Sequence, residues 1–225
     1  MNTSYSARHV ARPQPTRRII TGRKDCITGH FPSRKAAMGY RMVAYEGLLA
    51  RDFMALIEMD DTVVSYQEEP PPFKWTDGWK IYRYHPDVAL TMLDRRMICV
   101  EVKPLSKLLK HRIYAHRSAV EEAAFEAGYD EFQIWTEREI RTGCRLANAY
   151  LVTSGQSFSP ASEDALAIRQ ALFDLGGSAR IADVRRHANL DDQAYRAIIG
   201  LICAGQIRPK SMDVPIDDHC LIELA

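Results

Sequence analysis

The fold class is indicated most clearly by the sequence Met97-Ile98-Cys99-Val100-Glu101-Val102-Lys103. Its near-continuous apolar run is typical of a strand that is buried on both faces. The following residues, Leu105–Ala127, have the length and composition of one long helix, with Gly128 placed to end it, and Glu131–Trp135 reads as a second strand. A strand, a helix and a strand in this order form a right-handed crossover, which predicts two parallel strands and an α/β fold.

The residues before this unit predict one helix and three strands. Helical periodicity over Arg41–Met59 places a stripe of apolar side chains on one side. Thr62–Gln67 reads as a strand that a run of prolines ends, and Lys80–Tyr84 and Val88–Met92 are extended segments on either side of a turn. We therefore expect the main domain to cover residues 41–152, behind a basic N-terminal arm of residues 1–40.

A second, smaller domain is predicted after Thr153–Ser162, a stretch rich in Ser, Gly and Pro that resembles a linker. Three helices and two short strands are expected within residues 160–225: Glu163–Leu175, Ile181–Ala188, a helix capped by Asp191 and running to Ala204, Gln206–Arg208 and His219–Leu224. Three helices followed by a hairpin is a winged-helix arrangement.

Composition excludes several classes of protein. The chain of 225 residues carries 30 basic and 29 acidic side chains and is 46% hydrophobic, which excludes a disordered or collagen-like chain. Five scattered cysteines without a C-x-x-C pair argue against a disulfide scaffold or a structural zinc site and favour a reducing compartment. The apolar runs are too short to cross a membrane. These features predict a cytoplasmic protein without a membrane partner.

Charge is concentrated near the N-terminus, where residues 1–41 hold nine basic side chains and one acid. Such an arm suits contact with a phosphate backbone, and a solvated chain end is the alternative. The first half of the long predicted helix is also basic, and it either contacts phosphates or forms a solvated face. The predicted DNA contacts are Arg17, Arg18, Arg23, Lys24, Lys107 and Lys110.

Glu46 lies within the apolar stripe of the predicted Arg41–Met59 helix and should therefore point inward. Burial of an unpaired carboxylate costs several kcal/mol, so a positive group must meet it. That group is either a metal ion or a basic side chain, and the second alternative would make Glu46 part of a buried salt bridge.

Asp87, Glu101 and Lys103 form the strongest chemical pattern. With a period of two, Glu101 and Lys103 lie on the same side of their strand, and Asp87 follows Pro86 between two extended segments. Carboxylates from two strands, together with Glu46, would form an oxygen cage for Mg²⁺. The lysine would hold the attacking water or stabilise charge on a phosphate. This chemistry favours phosphodiester hydrolysis.

Several segments resemble one known family. They are Gly29-His30-Phe31-Pro32-Ser33, residues 45–53 (YEGLLARDF), residues 63–70 (VVSYQEEP), Tyr84-His85-Pro86-Asp87, Val100-Glu101-Val102-Lys103 and residues 135–140 (WTEREI). Residues 17–150 thereby resemble the TnsA-type endonuclease subunits of heteromeric cut-and-paste transposases, within the PD-(D/E)-x-K nuclease superfamily. Gly47 and Glu69 depart from the family pattern, which has Ser and Gln there.

The resemblance implies a restriction-endonuclease-like core with a mixed sheet. It makes Glu46, Asp87 and Glu101 the metal-binding catalytic acids and Lys103 the catalytic lysine. The expected cofactor is Mg²⁺, as two ions, with Mn²⁺ as a substitute. The expected partners are double-stranded DNA at transposon ends, a DDE-type transposase that acts on the 3′ ends, and an AAA+ regulatory ATPase, in the bacterial cytoplasm near the nucleoid.

Two other functions stay open: a PD-(D/E)-x-K nuclease that works alone in restriction or repair, and a non-enzymatic winged-helix DNA-binding regulator. The C-terminal domain has seven basic and ten acidic side chains, which favours docking on a protein over DNA reading, although Arg185, Arg186, Arg208 and Lys210 argue the other way. Trp75, Trp79, Tyr82 and Tyr84 either stack on DNA or pack in the core, and we expect packing.

Overall fold

The computed structural model describes residues 15–22, 26–159, 162–190 and 193–225, and it has a mixed α/β fold with a mixed sheet and several helices. The chain divides into two compact units between Glu137 and Arg138. Arg23 and Lys24, predicted to contact DNA, and Asp191, predicted to cap a helix, lie outside the described residues.

The first unit contains eight strands and four helices among its described residues. In chain order they are β1 (Thr28–Pro32), β2 (Met42–Glu46), α1 (Leu48–Glu58), β3 (Val63–Glu68), β4 (Phe73–Thr76), β5 (Ile81–Tyr84), β6 (Val88–Met92), β7 (Met97–Val102), α2 (Leu105–Leu108), α3 (Arg112–Ala115), α4 (Arg117–Glu126) and β8 (Glu131–Trp135).

The central sheet has the strand order β3-β6-β7-β8. Strand β6 is antiparallel to both β3 and β7, whereas β7 and β8 are parallel, which confirms the predicted crossover. Val88 of β6 pairs with Val100 of β7. This register brings Asp87, immediately before β6, beside Glu101, immediately after Val100.

The crossover itself is three short helices, so the prediction of one helix over Leu105–Ala127 was wrong. The backbone is extended at His111 (φ −90°, ψ 139°) and leaves the helical region again at His116 (φ −119°, ψ 34°). Gly128 follows the last helix with φ +95°, a conformation that glycine adopts without steric cost. The predicted end of the connection is therefore correct, and its interior is not.

The predicted helix over Arg41–Met59 was also wrong in its first part, because Met42–Glu46 forms strand β2 and α1 begins at Leu48. Met42 is exposed and Val43 is fully buried, as the alternation of a strand requires. Gly47 separates the two elements with φ +93°. Glu46 consequently lies at the end of a strand that pairs with β1, and not within the apolar stripe of a helix.

The arm predicted over residues 1–40 contains regular structure from Thr28 onward. Strand β1 pairs with β2, and a short 3-10 helix covers Ala36–Met38. Phe31 and Met38 are buried, so this part of the chain belongs to the folded unit. Its partner strand lies later in the sequence, which is why local patterns did not reveal it.

One hydrophobic cluster joins the sheet, the β4–β5 hairpin and the helix α4. Its members include Phe73, Trp75 and Tyr84 of the hairpin and Cys99 of β7. Cys99 has no exposed surface, and burial raises the pKa of its thiol, so this residue fills the core as a small apolar side chain. Strand β4 itself was not predicted.

The second unit contains, among its described residues, α5 (Glu137–Ile140), which begins at the division, and then α6 (Arg145–Ser154), α7 (Glu163–Asp174), β9 (Ser178–Arg180), α8 (Ile181–His187), α9 (Gln193–Cys203), β10 (Ile207–Pro209) and β11 (Leu221–Leu224). The three strands form an antiparallel sheet in the order β10-β11-β9. Three helices and two strands agree with the sequence prediction to within a few residues, whereas α5, α6 and β9 were not predicted.

The segment predicted as a linker, Thr153–Ser162, has a different structure in its first half. Thr153 and Ser154 end α6, and a 3-10 helix covers Gly155–Ser157. A Cβ atom on Gly200 would come within 2.5 Å of Phe158, so this part of the segment packs closely against α9. No helix in the described part of the chain is long and apolar enough to span a membrane.

Candidate active site

Asp87 is held between two neighbouring strands at the middle of the central sheet. Its carboxylate Oδ2 accepts a hydrogen bond from the backbone N–H of Val102 at 2.8 Å. Its own N–H donates to the carbonyl of Val100 at 3.2 Å, and its carbonyl accepts from the N–H of Glu69 at 2.9 Å. Two of these hydrogen bonds therefore fix Asp87 relative to β7, and the third fixes it relative to the residue that follows β3.

Glu101 is almost fully buried, with 2% of its surface exposed, and both of its carboxylate oxygens are hydrogen-bonded. The ammonium group of Lys103 donates to Oε1, and the hydroxyl of Tyr84 donates to Oε2 at 2.7 Å. Glu101 and Lys103 thus meet on one side of the chain at the end of β7, as their spacing predicts. No local pattern predicts that Tyr84 completes this arrangement.

The electrostatics of this site disfavour two free carboxylates. Burial, and next the negative charge of Glu101, raise the pKa of Asp87 well above its ordinary value. Burial and the same charge also raise the pKa of Tyr84, so its hydroxyl remains a hydrogen-bond donor. A cation placed between Asp87 and Glu101 would relieve their mutual repulsion.

Asp87, Glu101 and Lys103 line one cavity of about 310 Å³. Its other lining residues include four side chains that carry, or can carry, a positive charge: Arg83, His85, His111 and Arg112. A cavity that combines two carboxylates with these basic side chains, the basic rim, suits an anionic substrate that reacts at a metal ion.

His111 and Arg112 were counted as part of a basic helix, and their contribution to this cavity was missed. The helix breaks at His111, whose Nδ1 accepts the backbone N–H of Ile113 at 3.3 Å. Burial, and next the charge of Lys103, lower the pKa of His111, which favours its neutral form. With Nδ1 as the acceptor, the proton of the neutral ring is on Nε2.

Glu46 is not part of this cavity. Its side chain is 23% exposed, and its Oε2 accepts a hydrogen bond from Arg17 at 3.1 Å. Arg17 also pairs with Glu69, and this hydrogen bond is the main reason why the pKa of the guanidinium is raised. The positive partner of Glu46 is therefore a basic side chain, although the pair is only partly buried.

A second cavity of about 380 Å³ adjoins the first. It is lined by Glu46 and Arg17 and also by Asp87, Lys103 and Lys107. Asp87 and Lys103 thus line both cavities, with Glu101 in one and Glu46 in the other.

Within residues 15–22, 26–159, 162–190 and 193–225, no three His, Cys, Asp or Glu side chains are grouped closely enough to hold a metal ion. Of the three predicted acids, the structure brings Asp87 and Glu101 to one cavity and leaves Glu46 paired with Arg17. Two carboxylates with hard oxygen donors, one of them with a raised pKa, fit a divalent cation such as Mg²⁺. The residues present therefore suit a two-carboxylate site.

The predicted DNA contacts differ in their environments. Arg17 is held by two carboxylates, and the Nε of Arg18 donates to the carbonyl of Ile20 at 3.0 Å. Lys107 and Lys110 are exposed on and just after α2. Arg17 therefore has a structural partner, while the two lysines are accessible to a phosphate backbone.

The β4–β5 hairpin forms one wall of the first cavity. Trp75 is buried and stacks on Tyr82 with ring centroids 4.7 Å apart. The guanidinium of Arg112, at the start of α3, lies 4.5 Å from the centre of the Tyr82 ring. Packing was therefore the correct prediction for Trp75. It was wrong for Trp79, which is 97% exposed at the hairpin turn.

Asp77 organises that turn and should titrate far below an ordinary aspartate. Hydrogen bonds from the hydroxyl of Tyr82, and then from the backbone N–H groups of Lys80 and Trp79, lower its pKa to about 2. Because the pKa of the folded state is depressed, the stabilisation is present above the ordinary value of 3.8 and is lost as the pH falls toward 2. We expect an NMR titration of the Asp77 carboxyl to have its midpoint near 2.

Tyr82→Phe is the matched variant for this titration, because it keeps the ring and removes only the hydroxyl. The midpoint should then move up toward 3.8. An unchanged midpoint would show that the hydroxyl is not the main cause.

The chain matches no protein-family model, and a search of the curated proteins gives no match.

Proposed function

We propose that the protein is a metal-dependent DNA endonuclease, the subunit of a heteromeric cut-and-paste transposase that hydrolyses the 5′-end strands at transposon ends. The observation that carries the proposal is the meeting of Asp87, Glu101 and Lys103 in one cavity. Two carboxylates and an ammonium group from adjacent strands are the side chains that phosphodiester hydrolysis at a metal requires. The resemblance described above supplies the biological setting.

Each residue has a defined part in this proposal. Asp87 and Glu101 would hold Mg²⁺, or Mn²⁺ in its place, which supplies activation of a water and neutralisation of charge on the phosphate. Lys103 would hold that water or donate to a phosphate oxygen from its ammonium group. Tyr84 keeps Glu101 oriented through its hydroxyl. The basic rim, including Arg83 and Arg112, would attract the DNA backbone.

A second ion would need Glu46, whose carboxylate is held by Arg17. Replacement of Arg17 by Gln removes a competing positive charge beside Glu46 and Glu69. We therefore expect calorimetric titration to show that Mn²⁺ binds about five times more tightly, because a solvent-exposed ion pair contributes at most about 1 kcal/mol.

Arg18→Gln is the matched control for Arg17→Gln, because Arg18 donates to a local backbone carbonyl. It should leave Mn²⁺ affinity unchanged. If Arg17→Gln binds Mn²⁺ as tightly as the wild type or more weakly, Glu46 is not a metal ligand.

The fold assignments belong to the same proposal. A four-stranded sheet with one acid directly before β6 and the other near the end of β7 supports a restriction-endonuclease-like core. The order of α7, β9, α8, α9, β10 and β11, with an antiparallel three-stranded sheet, supports a winged helix in the second unit. Because acids outnumber bases there, we assign it to docking on the AAA+ ATPase, while the DDE-type transposase completes the cut at the 3′ ends.

Nicking of supercoiled plasmid tests the proposal. The protein, with its partner transposase present, should nick DNA when Mg²⁺ or Mn²⁺ is added and should stop when EDTA removes the metal. A DNA-binding regulator would bind the plasmid and leave it intact with either metal. Genes for a DDE-type transposase and an AAA+ ATPase beside this gene would support the transposition role, and a neighbouring methyltransferase gene would favour a restriction nuclease.

A further inference from the structure

Trp79 lies at the tip of the β4–β5 hairpin with 97% of its surface exposed. A large aromatic side chain loses the benefit of burial in such a position, because apolar area removed from water stabilises by about 25 cal/mol per Å². Single exposed apolar residues are common on protein surfaces. Trp79 differs because the structure around it is fixed and because its hairpin leads directly to the candidate active site.

The turn that carries Trp79 is held by a set of local hydrogen bonds. Asp77 Oδ1 accepts the N–H groups of Trp79 at 3.0 Å and Lys80 at 2.9 Å, while Oδ2 accepts the hydroxyl of Tyr82 at 2.7 Å. Gly78 has φ +90°, and its N–H donates to the hydroxyl of Thr76 at 3.0 Å. The indole is therefore presented by an ordered turn, which lowers the entropy that contact with a partner would cost.

Positively charged side chains are present both beside this tip and in the lining of the active-site cavity. Arg83 and Arg112 line the cavity, and Lys80 follows Trp79 with its ammonium 5.7 Å from the Tyr82 ring. The carboxylate of Asp77 is occupied within the turn. On the α4 side of the hairpin, Glu122 and Glu126 line a separate cavity that they share with Lys74, so we assign no DNA contact to that lysine.

We infer that Trp79 stacks on a base of the DNA substrate, as a wedge beside the cut site. Positively charged side chains on β5 and at the start of α3 would contact the DNA backbone, and the exposed aromatic ring would insert at a base step of the duplex and stack on the base that it unstacks. This inference rests on the proposed nuclease function for its location. It adds the contact that orients the duplex on the enzyme.

Tryptophan fluorescence during titration with a DNA duplex of about 30 base pairs, roughly three helical turns, tests the contact directly. The titration is made in EDTA, without cleavage, so its outcome does not depend on catalytic activity. We expect the wild-type fluorescence to be quenched by DNA. The Trp79→Phe variant, which keeps Trp75 and Trp135 as background, should show little quenching while it retains most of the affinity.

Trp79→Ala should weaken binding of the same duplex about tenfold, within the range measured for loss of one base-stacking aromatic. Leu93→Ala is the control, because Leu93 is exposed at a turn elsewhere in the same unit, and it should bind DNA like wild type. Circular dichroism should show all three variants folded.

Equal quenching in wild type and Trp79→Phe would overturn the inference. So would a Trp79→Ala variant that binds DNA normally but loses affinity for the partner transposase, since Trp79 would then contact a protein. Failure of the proposed function has a different signature, which is absence of metal-dependent nicking by the wild-type protein.

Discussion

Replacement of Asp87 by Asn is expected to reduce metal-dependent nicking about a thousandfold. Asn keeps the size and can still accept the hydrogen bond from Val102, but it removes one of the two carboxylates that would hold the metal. Metal stabilisation of charge in a transition state contributes several kcal/mol, and about 4 kcal/mol corresponds to this factor in rate. Single-turnover nicking rates in Mn²⁺ measure it.

Asp94→Asn is the matched control for this substitution. Asp94 is exposed at the turn between β6 and β7 and pairs with Arg96. It should nick at the wild-type rate. If metal-dependent nicking survives the loss of Asp87, the active site does not lie in this cavity.

The same Asp87→Asn variant should be more stable than wild type at neutral pH without metal. Burial and the charge of Glu101 raise the pKa of Asp87 in the folded state. A raised pKa stabilises the fold below the ordinary pKa of 3.8, and this stabilisation is lost as the pH rises through the folded value. The difference between the two proteins in thermal midpoint should therefore be small near pH 4 and should grow toward neutral pH.

Lys103→Met is the second substitution with a large expected effect, because it should abolish nicking and also destabilise the fold. Without the ammonium group, the buried carboxylate of Glu101 keeps only the hydrogen bond from Tyr84. Loss of one partner of a buried ion pair costs about 3 to 5 kcal/mol. The Lys103 side chain is 23% exposed, so solvent screens part of this interaction. We therefore expect urea unfolding to show that the free energy of unfolding falls by about 2 kcal/mol.

The double variant Glu101→Gln with Lys103→Met separates the two effects. A neutral Gln has no charge that needs a partner, so most of the lost stability should return. Nicking should remain absent, because a proposed metal ligand and the proposed catalytic lysine are both missing. A double variant that recovered nicking together with stability would make Lys103 a purely structural residue.

The sequence predicted the centre of the first unit because its signals are local. Alternation placed Glu101 and Lys103 on one side of β7, and the strand–helix–strand order predicted that β7 and β8 are parallel. Asp87 joins them through the register of β6 with β7, which adjacent strands with a short turn almost determine.

The environment of Glu46 could not be predicted, since it depends on distant parts of the chain. Apolar residues after Gly47 fit a helix, and those before it fit the same helical stripe equally well. Pairing of Glu46 with Thr28 makes that part a strand, and Arg17 approaches from 29 residues away. No local pattern carries either fact.

Two short strands were missed for a related reason. Strands β4 and β9 have four and three residues, and each depends on its pairing with another strand, which its own sequence does not reveal. The break in the crossover helix at His111 has no Pro or Gly to mark it. That break brings His111 and Arg112 to the rim of the cavity.

Calorimetric titration of Mn²⁺ into the wild-type protein and into Asp87→Asn is the most direct test that Asp87 and Glu101 hold a divalent cation. We expect saturable Mn²⁺ binding by the wild type, competition by Mg²⁺, and loss of that binding in Asp87→Asn, while Asp94→Asn binds normally. Equal Mn²⁺ binding by wild type and Asp87→Asn, or none by the wild type, would contradict the proposed metal site.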